Sequence, residues 1–379
     1  MSVYDAAPDS GRRVPLESVR HSRVFCEEGK FAGWPANGGM WQWGDELLFG
    51  FTLAEHFDRP SGHTYDKDTA RHMFARSMDG GETWSIEDVL SAGKTGNAHD
   101  HSLGECAAPP RKCPGGVDFL HTDFALLFHR MNNSNGPSHF YWSHDRGRSW
   151  DGPFAFPNLD TAGIATRTDY HVEGSGEMLA FLTAAKSNGL EGRVLCARTS
   201  DGGRSWRRVS WLGAEPAPER GHFRIMPASA RLSAESFLAA VRCSLGDAKG
   251  IEIYRSDDNA QTWRQMDAPA LGNLPGQTGD PVHNPPAMAR LRDGRLCLAY
   301  GVRVAPARMV VRLSEDEGRT WSDEAIVRGN DGACFDMGYP RLAQRPDGKV
   351  VLVYYYNHAL LDGAPYRYIA QTVFDPECL

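Results

Sequence analysis

The sequence contains no run of about 18 apolar residues, the length a helix needs to cross a bilayer, so it predicts no membrane span. The first residues, MSVYDAAPDSGRRVPLE, lack the apolar core of a secretory signal. A cytoplasmic location is expected for the sequence as given, with a removed leader as the other option. A basic excess is also missing. The net charge is −7, which argues against nucleic acid as a partner. Cysteine is sparse and scattered. Cys196, Cys243 and Cys297 sit in apolar runs and read as small buried hydrophobes. Cys106 and Cys113 lie in HDHSLGECAAPPRKC with His99 and His101. They either pair, share a metal or are two thiols of a Pro-rich loop. Their spacing fits no zinc pattern, so no metal and no other cofactor is expected.

Turn chemistry is what the chain has in quantity. There are 40 Gly and 23 Pro, and the 41% of hydrophobic residues come in short runs. Many short strands separated by turns are expected. Self-similarity sharpens this reading. The pattern Ser/Thr-x-Asp-x-Gly-x-Thr/Ser-Trp begins at Ser77, Ser143, Thr199 and Ser314, and a copy with Ala260 in place of Gly begins at Ser256. The tryptophans at 84, 150, 206, 263 and 321 lie 66, 56, 57 and 58 residues apart. That spacing is the length of a four-stranded propeller blade with its loops. Within each copy, Ser/Thr and Asp bond backbone N–H groups of a tight turn, and Gly supplies a left-handed position. The Trp folds over the turn to fill the gap between blades.

Two apolar runs precede each copy. They are MWQWGDELLFGF (40–51) with HMFARS (72–77), DFALLFHR (123–130) with HFYWSH, EMLAFLTAA with VLCARTS, FLAAVRC with IEIYRS, and LCLAYGVR with MVVRLS. A sixth unit, GYPRLAQRPDGKVVLVYYYN followed by YRYIAQTVF, has no copy of the motif, and its outer strand is expected from the segment around 22–27. The expectation is an all-β, six-bladed propeller closed by its own termini. It forms one domain over 1–379, with 1–20 an N-terminal arm.

The motif resembles the Asp-box, or BNR, repeat of the sialidase superfamily, over the chain from about residue 30 to its end. The resemblance implies that the boxes lie on the face away from the active site. Two sets of residues then fall on the active face. Starts of inner strands read Trp34-Pro-Ala-Asn37, His121-Thr-Asp123, Arg167-Thr-Asp169, Arg224-Ile-Met226-Pro, His283-Asn284 and Asp336-Met-Gly-Tyr339. Ends of second strands read His56, Arg130, Lys186, Arg242, Arg303 and Asn357. Such a polar, arginine-rich set suits an anionic sugar, because guanidinium forks match carboxylates.

The resemblance further implies three arginines that clamp a substrate carboxylate, a Tyr nucleophile activated by a Glu, and an Asp acid/base. Tyr339 matches the nucleophile, Arg242 the second arginine, Arg308 the third, and Asp58 the acid/base, with Asp66 and Asp68 nearby. Trp34 stands where the first arginine belongs, and no carboxylate nearer than Glu219 stands where the Glu belongs. His121, Asp123, Asp169, Arg224, Arg303, His283 and Asp336 are the other candidates for substrate contact. The expected activity is sialidase-like hydrolysis of an acidic sugar. A polysaccharide lyase acting on a uronate and a non-catalytic carbohydrate-binding propeller remain the alternatives.

Overall fold

The computed structural model describes residues 18–57, 62–90, 109–134, 136–246, 248–266, 285–303, 307–329, 331–357 and 367–379, with 12–13 and 248–249 in backbone only. Six sheets follow one another along the chain. Blade I pairs Lys30–Gly33 and Met40–Trp43 with Glu46–Glu55, and continues through Arg71–Ser77 to Ser85–Glu87. In blade II the described strands are Ala125–Arg130, Ser138–Ser143 and Asp151–Phe156. Blade III centres on Glu177–Ala185 and Glu191–Thr199, with Tyr170–Gly174 inside and Arg207–Trp211 outside. Blade IV runs through Phe223–Arg231, Phe237–Leu245, Ala248–Ser256 and Arg264–Gln265. Blade V comprises Ala287–Arg290, Leu296–Val302, Arg308–Ser314 and Ala325–Arg328, and Arg12–Arg13 adds to it in parallel. Blade VI comprises Gly338–Gln344, Val350–Tyr356 and Tyr368–Phe374, with Val19–Phe25 as its outer strand. The ring is therefore closed by the termini, as expected.

Each sheet is covered on both faces by its neighbours, which explains why the middle strands are apolar without alternation. In Val350–Tyr356, Val351, Val353 and Tyr355 pack into the core shared with blade I. Val350, Leu352, Tyr354 and Tyr356 pack into the core shared with blade V. Four further clusters join I to II, II to III, III to IV and IV to V. Six inter-blade cores thus close one circle. Among the described residues the outer strand Val19–Phe25 has no strand outside it, and its sequence VRHSRVF is largely exposed.

All five boxes make one set of bonds. Ser77 Oγ donates to Asp79 Oδ1 at 2.7 Å and accepts from Gly81 N at 2.7 Å, while Asp79 accepts from Thr83 N at 2.9 Å and Thr83 Oγ1 at 2.6 Å. Burial alone would raise the Asp79 carboxyl, but the bonds from Thr83 and Ser77 hold it at about 2. The copy at Ser256 keeps the geometry with Ala260 at φ 64°. Each box tryptophan reaches back to the preceding blade. Trp84 Nε1 donates to Gln371 of blade VI at 2.9 Å, and Trp150 stacks on Phe74 of blade I at 5.3 Å.

Candidate active site

Three positions on or beside the inner strands share an unusual backbone. Trp34, Met226 and Tyr339 each precede a proline, and each has left-handed backbone, at φ 60°, 55° and 51°. A residue before proline disfavours helical backbone, and a bulky side chain at positive φ costs about 1–3 kcal/mol. All three belong to one buried cluster, which also holds Tyr355. The strained seats gather three blades around one spot. Tyr339 packs edge-on against Tyr355 at 5.8 Å, and Trp34 lies 6.3 Å from the same ring.

A polar network is built on this base. Asp336, wholly buried, accepts from His63 Nδ1 at 2.7 Å, Tyr355 Oη at 2.6 Å and Arg367 Nε at 2.9 Å. Burial alone would raise this carboxyl, but the bond and charge of His63 and the charges of Arg367 and Arg303 hold it well below the usual range. An ionised carboxylate only accepts, so His63 donates to it from Nδ1. Asn357, at the end of its strand, ties the segment down by donating to the carbonyls of Asp336 at 2.8 Å and Cys334 at 3.2 Å.

Two arginines complete the centre. Arg303 donates to Tyr355 Oη at 2.8 Å and to Met337 O at 3.1 Å, and its guanidinium lies 5.6 Å from the centre of the Tyr339 ring. Arg242 is 9% exposed and lies against Tyr339, within reach of a side-chain hydrogen bond. Its Nε has no hydrogen-bond partner, and no ion pair forms to it among the described residues. Burial pulls this guanidinium below its ordinary value, and the nearby charge of Arg303 pushes the same way. An unneutralised buried guanidinium costs free energy unless an anion meets it. Beside this pair, Arg167 bonds Glu191 at 3.3 Å and Asn37 at 3.2 Å. Lys186 donates to His222 O at 2.6 Å.

The BNR repeat-like domain pattern matches residues 73–352, well over half of the chain. The chain belongs to the BNR repeat-like domain family. Solved structures of similar fold include a protein of unknown function from Dyadobacter fermentans DSM 18053, at 19% identity over 95% of this chain and 100% of that one, with a TM-score of 0.69. The Hadza microbial sialidase Hz136 is 13% identical over 92% of this chain and 66% of its own, with a TM-score of 0.60. An α-L-arabinanase of Penicillium chrysogenum complexed with arabinobiose is 13% identical over 91% and 97%, with a TM-score of 0.54. At such identities these similarities establish the fold. No curated protein matches the chain. No helix among the described residues is long and apolar enough to cross a membrane.

This BNR propeller brings together some of the residues singled out in the sequence and leaves others apart. Tyr339, Arg242, Arg303 and Asp336 meet in one region. Arg308 instead faces Glu324 at 3.8 Å, and Arg224 forms a two-pronged pair with Glu252 at 2.5 and 3.0 Å. Asp169 lies deeper, beside Ser229 and in the field of Arg341. Burial pushes its carboxyl up to about 7, against the pull of Arg341. His121 and Asp123 lie on the box face, contrary to the expected placement. Asp123 accepts from Arg146 of the second box at 2.6 Å, and His121 stacks on His144 at 4.5 Å. The run at 123–130 is a second strand, so the residues before it form a turn at the opposite end of the blade. Asp58, His283, Cys106, His99 and His101 lie outside the described residues. Cys113 is buried with its thiol toward Gly202 O. Among the described residues no cluster could hold a metal.

His63 and Tyr355 were missed by sequence reasoning. His63 sits in an irregular loop with no period to reveal it. Tyr355 is one of three consecutive tyrosines in an apolar strand, and only the alternation of the strand selects it.

Proposed function

We propose that the chain is a glycoside hydrolase acting on an anionic sugar, sialic acid or a relative, with Tyr339 as nucleophile. One observation carries this reading: Arg242, buried and without a carboxylate partner among the described residues, lies against Tyr339. Arg242 and Arg303 bind the sugar carboxylate and hold the anomeric carbon over the Tyr339 hydroxyl. A phenol suits that carbon better than a carboxylate, which the substrate's own charge repels. Tyr339 Oη bonds the anomeric carbon as its proton passes to solvent water, the glycosidic C–O bond breaks, and the leaving oxygen takes a proton from an acid, Asp58 by the family pattern. Water then attacks the tyrosyl glycoside and gives up one proton to the same acid in its basic form, and the departing phenolate takes back a proton from solvent water to restore the phenol. The sialidase and the arabinanase of similar fold support a glycan substrate.

Turnover of aryl and alkyl sialosides by the wild type, abolished in Tyr339→Phe with an unchanged unfolding midpoint, is the expected outcome. Undiminished turnover in that variant would sink the assignment. A second reading, β-elimination from a uronate, is favoured by the arginine at Tyr339, since a phenol held by arginines serves as a base as well as a nucleophile. Ultraviolet absorbance of an unsaturated product, without release of a saturated sugar, would select it.

A further inference from the structure

We infer that Tyr355 and Asp336 are positioning residues. Through one hydrogen-bonded chain they hold Arg303 beside Tyr339, so that blade V supplies the arginine that blade I lacks. The inference rests on the hydrolase reading above and adds to it the two residues that set its second arginine.

The direction of the chain follows from the hydrogens available. Asp336 is wholly buried and ionised, and a carboxylate has no hydrogen to give, whereas a phenol has one. The bond of 2.6 Å between Tyr355 Oη and Asp336 Oδ1 therefore uses the phenolic hydrogen, and Oη is left as an acceptor. Arg303 Nη2 donates to it at 2.8 Å. Without Asp336 the hydroxyl would be free to turn its hydrogen toward the guanidinium. A phenol that donates to a carboxylate is also a stronger acceptor, because the bonds of a chain polarise one another. Burial would lower the Arg303 guanidinium, but the charges of Tyr355, Tyr339 and Asp336 outweigh it and raise the group above its ordinary value.

The second anchor lies on the nucleophile's own segment. Arg303 Nε donates to Met337 O at 3.1 Å, two residues before Tyr339. Asn357 fixes that segment, since it donates to Asp336 O at 2.8 Å and accepts from Cys334 N at 2.9 Å. Gly338, beside Tyr339, pairs with Tyr355 across the hairpin of blade VI. Both bonds that hold Arg303 thus come from residues tied to Tyr339, and the guanidinium lies 5.6 Å from the centre of that ring. Blade V supplies the charge and blade VI supplies its geometry. Trp34, in the seat where the family pattern has its first arginine, packs 6.3 Å from the Tyr355 ring, and the hydroxyl of that same ring carries Arg303.

Tyr354 provides the control. It is as deeply buried as Tyr355, but it faces the core shared with blade V, and its hydroxyl bonds Thr372 Oγ1 at 2.7 Å. The probe is 2,3-didehydro-2-deoxy-N-acetylneuraminic acid, titrated by calorimetry, with the 4-methylumbelliferyl α-glycoside of N-acetylneuraminic acid as substrate. Tyr355→Phe is expected to weaken binding of the probe by about 10-fold, the worth of a hydrogen bond to a charged group. Arg303→Met weakens it by about 10- to 100-fold, and Tyr355→Phe added to Arg303→Met costs no more. Tyr354→Phe binds and turns over as the wild type does. Asp336→Asn, which keeps an acceptor for Tyr355 and removes the charge, shows the same coupling to Arg303 more weakly and is the second variant. Urea midpoints identify any loss that comes from unfolding. An undiminished effect of Tyr355→Phe in the Arg303→Met background, or an equal loss in Tyr354→Phe, would overturn the positioning role and leave the hydrolase reading standing. Turnover retained in Tyr339→Phe, with the coupling of Tyr355 to Arg303 intact, would remove the nucleophile and leave the positioning role. Neither binding nor turnover by the wild type would remove both.

Discussion

Acid should weaken this propeller between pH 7 and pH 5, above the range where its surface carboxylates titrate. His72 and His139 are buried where blades I and II meet, and His72 Nε2 has no hydrogen-bond partner among the described residues. Burial holds His72 down at about 3 and His139 at about 4, against an ordinary value of 6.5. Because the folded values are depressed, the stabilisation is present above 6.5 and is lost as pH falls toward 4. Each ring then takes up a proton only on unfolding. From pH 7 to pH 5 each should remove about 2 kcal/mol, or about 4 kcal/mol together. His21, also held at about 4 by burial and Arg328, adds little because its strand is exposed and screened by solvent. His171 adds in the same sense as His72 and His139, since burial holds it at about 4. Asp169, raised by burial to about 7, acts in the opposite sense: its neutral form belongs to the fold, so stability is gained as pH falls from 7 toward 3.8. These two offset each other to within about 1 kcal/mol. Asp336 and Glu46 are held low and contribute only below the window. Urea unfolding followed by tryptophan fluorescence at pH 7, 6 and 5 should therefore show a loss of about 4 kcal/mol, an appreciable part of an ordinary domain's stability. His72→Gln/His139→Gln should be less stable at pH 7 and nearly flat to pH 5. A double variant that loses as much on acidification as its parent would refute the reasoning.

Other perturbations follow from single contacts. Glu46 is 4% exposed and pairs with Arg76 at 2.8 Å, Arg146 at 2.9 Å and Arg148 at 2.9 Å. Glu46→Gln should lower the urea-derived stability by about 3 kcal/mol, since it leaves Arg76 buried with less charge to meet it. Gly147 sits at φ 76°, and a Cβ there would stand 2.4 Å from Leu48 Cδ2. Gly147→Ala should therefore cost about 2 kcal/mol, read as a lower thermal midpoint. Arg242→Met should raise KM for an anionic glycoside by roughly 10- to 100-fold, the worth of a charge-assisted contact, with the fold retained.

The blade count was legible because the box is a local device. Its bonds span four residues, so the pattern survives with little help from tertiary context, even where Ala260 replaces glycine. The far face was harder to read. Inner and second strands both carry neighbours on two faces, so both read as plain apolar runs, and the residues just before 125–130 pass for the start of an inner strand. That error carried His121 and Asp123 to the wrong end of blade II. The rule that a residue before proline is extended also pointed away from the observed backbone of Trp34, Met226 and Tyr339. Tertiary packing imposes those conformations, and no local signal announces them. Arg242 and Arg303 could be found because they close second strands. His63 could not, because its partner Asp336 lies 273 residues away.

The strand that closes the ring also sets the order of assembly. Val19–Phe25 has no partner until Tyr368–Phe374 has been made, and His21 meets Thr372 across 351 residues. During synthesis Val19–Phe25 is therefore an exposed edge until Tyr368–Phe374 has emerged. Five blades can pack one against the next while blade VI waits. The charges and polar groups of VRHSRVF are then a safeguard during synthesis, keeping an unpaired edge from joining a neighbouring chain until its own last strand arrives.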